Sequence, residues 1–202
     1  MSLLACSVFY ATLIDLSERS RTAVEVTIRR SGQRATVRPR SGTIIIPRSL
    51  LDAPPDRQSW VAAHEFAHIV LYPHEVAQEG SESARRRAST LVYLSLGALA
   101  GAVMSVGVAA PLWVPWLLAA LAVVLLGAAF RAHAVWSLPR EVAADLLAAR
   151  WGYPVTPSIA AHLAAVESPA DRLWLLRPFR SHPYPAARVL QIEHQQPGST
   201  QL

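Results

Sequence analysis

The amino-acid sequence predicts a mostly helical α+β fold with a small N-terminal β-sheet, interrupted by an inserted two-helix transmembrane hairpin. Three observations predict it. Residues 22–47 contain three short β-branched stretches of strand length. Residues 90–130 contain no Asp, Glu, Lys, Arg or His. The segments flanking that run carry helix-start signals and long apolar stretches of helical length.

The chain has 202 residues, enough for one soluble domain plus a membrane element. Hydrophobic residues make up 52% and charged residues 16%, whereas a soluble domain carries about a quarter charged residues. The deficit is concentrated in the 41 residues from Thr90 to Phe130. The net charge is +5, and all 19 cations are arginine. They are scattered, apart from Arg85, Arg86 and Arg87 beside the apolar run, which favours a membrane surface over nucleic acid as the partner. Cys6 is the only cysteine, so no internal disulfide can form, and a reducing compartment is permitted. The stretch Leu3 to Ile14 lacks a basic flank and is short for a span, so it reads as core packing.

The alternating stretch 22–30 reads as a strand, with a turn at Ser31-Gly32 and a return over Arg34 to Val37. Thr43 to Pro47 reads as a third strand with a free edge that could hold an extended peptide. Pro54-Pro55-Asp56 opens a helix with Asp56 as N-cap, running to Tyr72 where Pro73 stops it. Residues 75–88 are polar. About 20 residues cross a bilayer core, so residues 90–130 fit two crossings with a turn near Ala109 to Pro111. Arginines at both outer ends place those ends in the cytoplasm. Ser137-Leu138-Pro139 opens a further helix that Gly152 ends, Thr156-Pro157 starts another, and Ser181-His182-Pro183 begins the last, through Ile192. The expected organisation is therefore residues 1–88 for the sheet and metal helix, 89–132 for the hairpin, 133–193 for the second half of the soluble domain, and 194–202 for a disordered tail.

The chemistry is concentrated in His64-Glu65-Phe66-Ala67-His68. Histidines four residues apart share one helix face and can bind one tetrahedral zinc ion. With 7 His and 9 Glu in the chain, this pattern arises by chance roughly 0.01 times. Two histidines packed on a helix face are the bland alternative. The surrounding residues Ala62, Ala63, Phe66, Ala67, Ile69 and Val70 would bury the three polar groups, which then need partners that zinc supplies. Glu65 is placed as general base toward a water whose pKa zinc lowers to about 7. Glu141 and Asp145 form a Glu-x-x-x-Asp pair, with Glu141 as third ligand and Asp145 orienting a ligand histidine. That spacing alone arises by chance roughly 0.2 times, and its bland reading is a helix N-terminal acid favoured by the dipole. His74, His162 and His194 read as surface groups and His133 as interfacial. Trp113, Trp116 and Trp136 suit a membrane-interface belt.

Three blocks in order resemble the HtpX heat-shock proteases and the CAAX prenyl proteases, integral-membrane gluzincins. They are Trp60 to Leu71 around His64 and His68, Arg140 to Ala149 around Glu141 and Asp145, and Ser181 to Leu190 with Ser-His-Pro and a later arginine. Gly42 to Leu51 resembles the strand before the family's zinc helix. The resemblance covers about residues 40–193. It implies a zincin-like domain with His64, His68 and Glu141 as zinc ligands, Glu65 as general base and Asp145 behind the ligands. It also implies His182 near the substrate or the tetrahedral intermediate. Val142 stands where an aromatic residue is common, and the N-terminal hairpin of four-span members is missing. The stretch Leu138 to Glu141 is also similar to a neighbouring group of small bacterial membrane zinc peptidases.

The expected function is a membrane-embedded zinc endopeptidase acting on membrane or membrane-proximal proteins. It would sit in the cell inner membrane with the catalytic domain facing the cytoplasm. A protein or peptide substrate and the lipid bilayer are the expected partners, without nucleic acid, and the oligomeric state is left open. Two rivals are a non-proteolytic membrane protein with structural zinc and a tethered binding module without metal. Three good ligands, rather than four, favour the open catalytic form.

Overall fold

The computed structural model describes residues 7–32, 34–77, 79–108, 110–165, 183 and 185–195. The described residues within 1–77, 140–167 and 183–202 make one compact unit, and those within 78–139 belong to a second.

The first unit opens with α1 (Val8–Ser20), where Phe9, Leu13 and Leu16 recur at helical spacing and are buried. Three strands follow: β1 (Glu25–Arg29), β2 (Thr36–Arg38) and β3 (Thr43–Pro47). Their order is β1-β3-β2, with β3 parallel to β1 and antiparallel to β2. The first two strands therefore do not pair around Ser31-Gly32, and β3 has no free edge. The most apolar strand takes the centre because its Ile44 and Ile46 are fully buried, while β1 and β2 carry charged residues at their solvent edges. Pro47 closes β3, where its missing N–H does least harm.

The long helix α2 (Pro55–Ala77) packs against α1 and the sheet. Pro55 is its first residue, so Asp56 lies inside the first turn rather than at the N-cap and favours the helix dipole from there. Pro73 does not stop the helix, which continues to Ala77. A proline removes one backbone donor, a local loss that the neighbouring turns can bridge. Entry into α2 is fixed by Gln58, which is buried. Its Oε1 accepts from Ser7 Oγ at 2.8 Å and from the Phe9 backbone N–H at 3.2 Å. Its Nε2 donates to the carbonyls of Leu51 at 3.0 Å and Ala53 at 2.7 Å. One amide thereby ties the start of α1 to the start of α2 with all its main valences satisfied.

Ser137-Leu138-Pro139 does not open a new helix. It lies inside α4 (Trp113–Arg150), which runs unbroken from the apolar region to Arg150. As at Pro73, one missing donor is too small a loss to end a long helix. The end of α4 is a Schellman motif: Tyr153 N donates to Ala148 O at 2.9 Å and Gly152 N to Ala149 O at 3.0 Å. Gly152 sits at φ 94°, a conformation that glycine adopts without a Cβ penalty. Next comes α5 (Pro157–Ala165), capped by Thr156 Oγ1, which accepts from the Ile159 N–H at 3.3 Å. The last helix is α6 (Pro185–Gln195). Its expected opening at Ser181-His182 and the expected tail beyond 195 lie outside the described residues, as do the side chains of His74 and His194.

Two apolar clusters hold this unit together. One joins Phe9, Leu13 and Leu16 to Ile44, Ile46, Ala62, Ala63, Phe66, Ile69 and Ala148. The other gathers Trp60, Ala149, Val155, Ile159 and Ala160, with Leu146 and Val189 against them.

The second unit holds α3 (Glu79–Gly107) and the part of α4 before residue 140. The polar stretch expected before the apolar run is helical where described. Ser95 Oγ donates to the Ala122 carbonyl at 2.8 Å, and a Cβ on Gly101 would lie 3.5 Å from Leu118 Cδ1. The buried positions are small: Ala88, Ser95 and Ala102 recur every seven residues on α3, as do Ala122 and Ala129 on α4. Large residues face outward, including Tyr93, Val103, Met104, Trp113, Trp116 and Val123. Both helices are long and apolar enough to cross a membrane, and only 17% and 11% of their apolar windows are buried. A core helix of a soluble protein would be mostly covered.

Phe66 is fully buried between α1, β3 and Trp151, whose ring lies 5.8 Å away. Phe66→Ala should cost about 3–5 kcal/mol of stability. Thermal unfolding in detergent micelles should show a clearly lowered midpoint; an unchanged midpoint would contradict this core.

Candidate metal centre

The middle of α2 is buried on most sides. Ala62, Ala63 and Phe66 turn toward the first cluster, while Trp60 and His64 turn toward the end of α4. Alanines on α4 let the two helices approach: Ala144 and Ala148 are fully buried, and Glu141 and Asp145 lie on the same helical face. His64 and His68 are 6% and 7% exposed and Asp145 is 4% exposed, so these groups must satisfy one another or an ion.

His64 Nε2 lies 3.4 Å from Glu141 Oε2, and His68 Nε2 lies 3.5 Å from Glu141 Oε1. The two imidazoles meet edge to face with centroids 4.9 Å apart. One ligand atom from each of His64, His68 and Glu141 can be chosen so that all lie within 4.8 Å of one another. The histidine–glutamate spacings are too long for good hydrogen bonds. Each spacing alone is near the ligand–ligand distance of a zinc site, about 3.4 Å for bonds of about 2.1 Å, although the two run to different oxygens of Glu141. Two neutral imidazoles and a carboxylate are the donor set that zinc takes, so the residues fit that ion.

On the other side of the His64 ring, Nδ1 lies 2.9 Å from Asp145 Oδ1. The two atoms are close without the N–H aimed along the contact, and neither has another partner among the described residues. Asp145 Oδ2 accepts from Arg188 Nε at 2.7 Å, and Glu141 Oε2 accepts from Arg188 Nη2 at 3.3 Å. Arg188 is 5% exposed, and its Cζ stands 5.4 Å from the centroid of the Trp60 ring. The tilted Trp60 ring in turn packs 5.2 Å from His64.

The electrostatics follow from this crowding. Burial disfavours a charged His64, but the negative charges of Asp145 and Glu141 outweigh it and raise its pKa from 6.5 to about 10. Glu65, also on α2, is pushed up mainly by burial. The charges of His64 and His68 oppose that rise, Glu141 adds to it, and Arg188 opposes it. A carboxyl held above its usual range is suited to carry a proton during a reaction near neutral pH.

The structure therefore brings His64, Glu65, His68, Glu141 and Asp145 into one neighbourhood. His182 lies outside the described residues. His133 is exposed beside Trp136 at 5.6 Å between ring centroids. His162 Nδ1 is 3.4 Å from Arg57 Nη1, and burial and then the Arg57 charge lower its pKa. Arg188 is the residue that sequence reasoning left without a role. Its only signal was its place after Ser181-His182-Pro183; nothing local marks one arginine among 19 as buried.

Paired histidines one helical turn apart, a carboxylate from a second helix and an adjacent glutamate are the donor arrangement of a helical metallopeptidase. A sequence model of Peptidase family M48 matches residues 15–196, and the chain belongs to that family, which contains the HtpX and CAAX prenyl proteases. No curated protein and no solved structure gave a match.

A metal ion held by His64 would have to displace the proton that this side chain keeps below about pH 10. If His64 is a ligand, a proton competes with the ion at every pH below about 10, and that competition is lost as the pH rises through about 10. Zinc affinity should therefore rise with pH up to about pH 10. Calorimetry at pH 7.5 in buffers of different ionisation enthalpy should show about one proton released per ion by His64, and fewer in Asp145→Asn. Equal release by both proteins would contradict the assignment.

Proposed function

We propose that this metallopeptidase-family chain is a zinc endopeptidase embedded in a membrane, with His64, His68 and Glu141 as ligands and Glu65 as general base. The observation that carries the reading is that His64, His68 and Glu141 each bring one ligand atom within 4.8 Å of the others, in a chain of Peptidase family M48. A bound zinc ion would supply Lewis acidity and an acidified water. Glu65 takes the water's proton and delivers it to the leaving amine as the peptide bond breaks. Asp145, beside His64 Nδ1 at 2.9 Å, would fix the ring so that Nε2 stays available to an ion. His182, from its block of resemblance, is assigned to the stabilisation of the tetrahedral intermediate. A catalytic ion needs three protein donors and an open position, and His64, His68 and Glu141 supply the three donors.

The same proposal assigns the fold as zincin-like and residues 89–132 as a transmembrane hairpin with both ends in the cytoplasm. The outward large apolar residues of α3 and α4 and the arginines at 85–87, 131 and 140 support it. The catalytic half then faces the cytoplasm of the inner membrane, and its substrates are membrane or membrane-proximal proteins.

Two substitutions separate the roles at the centre. Glu65→Gln should keep near-stoichiometric zinc and lose nearly all hydrolysis, because Glu65 moves a proton and does not hold the metal. Glu141→Gln should weaken zinc binding, with activity partly restored at high added zinc. Metal analysis beside a peptide-cleavage assay reads both; an active Glu65→Gln protein, or undiminished zinc affinity in Glu141→Gln, would remove the mechanism.

Topology is tested by cysteine labelling at positions 80 and 195 in a Cys6→Ser background. Both sites should react only after the cytoplasmic side is opened. Reaction of either site from outside intact cells would reverse the orientation.

A further inference from the structure

We infer that Arg188 is a positioning residue of the metal centre, a two-pronged clamp that orients Asp145 and Glu141 together. The inference rests on the zinc reading above and adds to it a residue from the C-terminal helix. Nε donates to Asp145 Oδ2 and Nη2 to Glu141 Oε2, so one planar group fixes two carboxylates that lie one turn apart on α4. The other Asp145 oxygen faces His64 Nδ1 at 2.9 Å, and Glu141 faces the Nε2 atoms of both histidines. Arg188 thus acts on the centre through both acids without being a ligand.

The clamp is itself held. The guanidinium lies over the Trp60 ring, and Trp60 sits one turn before His64 on α2. Val189, the next residue on α6, packs against the Trp60, Ala149 and Ile159 cluster. Arg188 therefore links α6 to both helices that carry the proposed ligands. A lysine would keep the charge but present a single point of contact on a flexible stem.

The sign of the effect on metal binding separates this role from its rivals. A cation beside a divalent ion repels it, so a bystander arginine would weaken binding and its removal would tighten it. A positioning arginine does the reverse, because loosened carboxylates hold the ion less well.

The test measures zinc affinity by chelator competition on the full chain in detergent micelles, with thermal unfolding run in parallel. The parent, Arg188→Lys, Arg188→Ala, Asp145→Asn and the Asp145→Asn/Arg188→Ala pair are compared. Arg188→Lys and Arg188→Ala should each bind zinc about 10–100-fold more weakly than the parent. The double variant should be weaker than Asp145→Asn by much less than the Arg188→Ala effect alone, since the two residues act in one chain of contacts. Parent-like affinity in Arg188→Lys, tighter binding in Arg188→Ala, or full additivity would each overturn the clamp. Should Arg188→Ala fail to fold, the lysine variant still decides. A parent chain that binds no zinc would remove the metal reading and the clamp with it, whereas a zinc-binding parent with an indifferent Arg188→Lys would remove the clamp alone.

Discussion

Everything at this centre depends on α2 and the end of α4 lying close enough for His64 to touch Asp145. The approach is made possible by small side chains on α4, where Ala144 and Ala148 are fully buried. A larger residue at either would push the helices apart by more than the proposed site tolerates, since ligand atoms about 1 Å out of place no longer share one ion. Phe66 and Trp151 fill the space beside these alanines, so the spacing is set by packing and not by the polar groups themselves.

Burying so many ionisable groups is costly, and the charges explain how the site tolerates it. Glu65, Glu141 and Asp145 are three acids in one neighbourhood, with Arg188 the buried cation among them. Without a metal, the proton that His64 keeps up to about pH 10 offsets part of the remaining negative charge. In the proposed zinc-bound form, a divalent ion would replace that proton and offset the net charge of the three carboxylates and Arg188. The raised His64 pKa and the proposed metal site are thus two expressions of one excess of negative charge.

Helix α4 gives this chain its particular construction. A single helix of 38 residues carries outward-facing Trp113, Trp116 and Val123 near its start and Glu141 and Asp145 near its end. Pro139 sits within it without ending it. The proposed third ligand therefore belongs to the same element as the second apolar segment. The small-residue repeats on α3 and α4 serve a different need from those at the metal centre. In the apolar unit they permit close packing beneath mostly apolar outward side chains; at the proposed centre they set the spacing of the acids and histidines.

The sequence by itself determined the chemistry that depends on local spacing. His64 and His68 had to share a face because a helix returns about every 3.6 residues, and Glu141 and Asp145 likewise. The uncharged run from Thr90 to Phe130 had to form long apolar helices, and Gly152 had to mark a helix end, because these follow from composition and backbone geometry. Interruptions were harder to read. Pro73 and Pro139 looked like boundaries, yet a long helix with good neighbours absorbs one missing hydrogen bond. Strand order was also beyond local pattern: β3 entered between β1 and β2 because Ile44 and Ile46 had to meet α1 and α2, a contact between distant segments. Arg188 was hidden for the same reason. Its place is set by Asp145, Glu141 and Trp60, which lie far from it along the chain, and only tertiary packing converts an ordinary arginine into a buried partner of two acids.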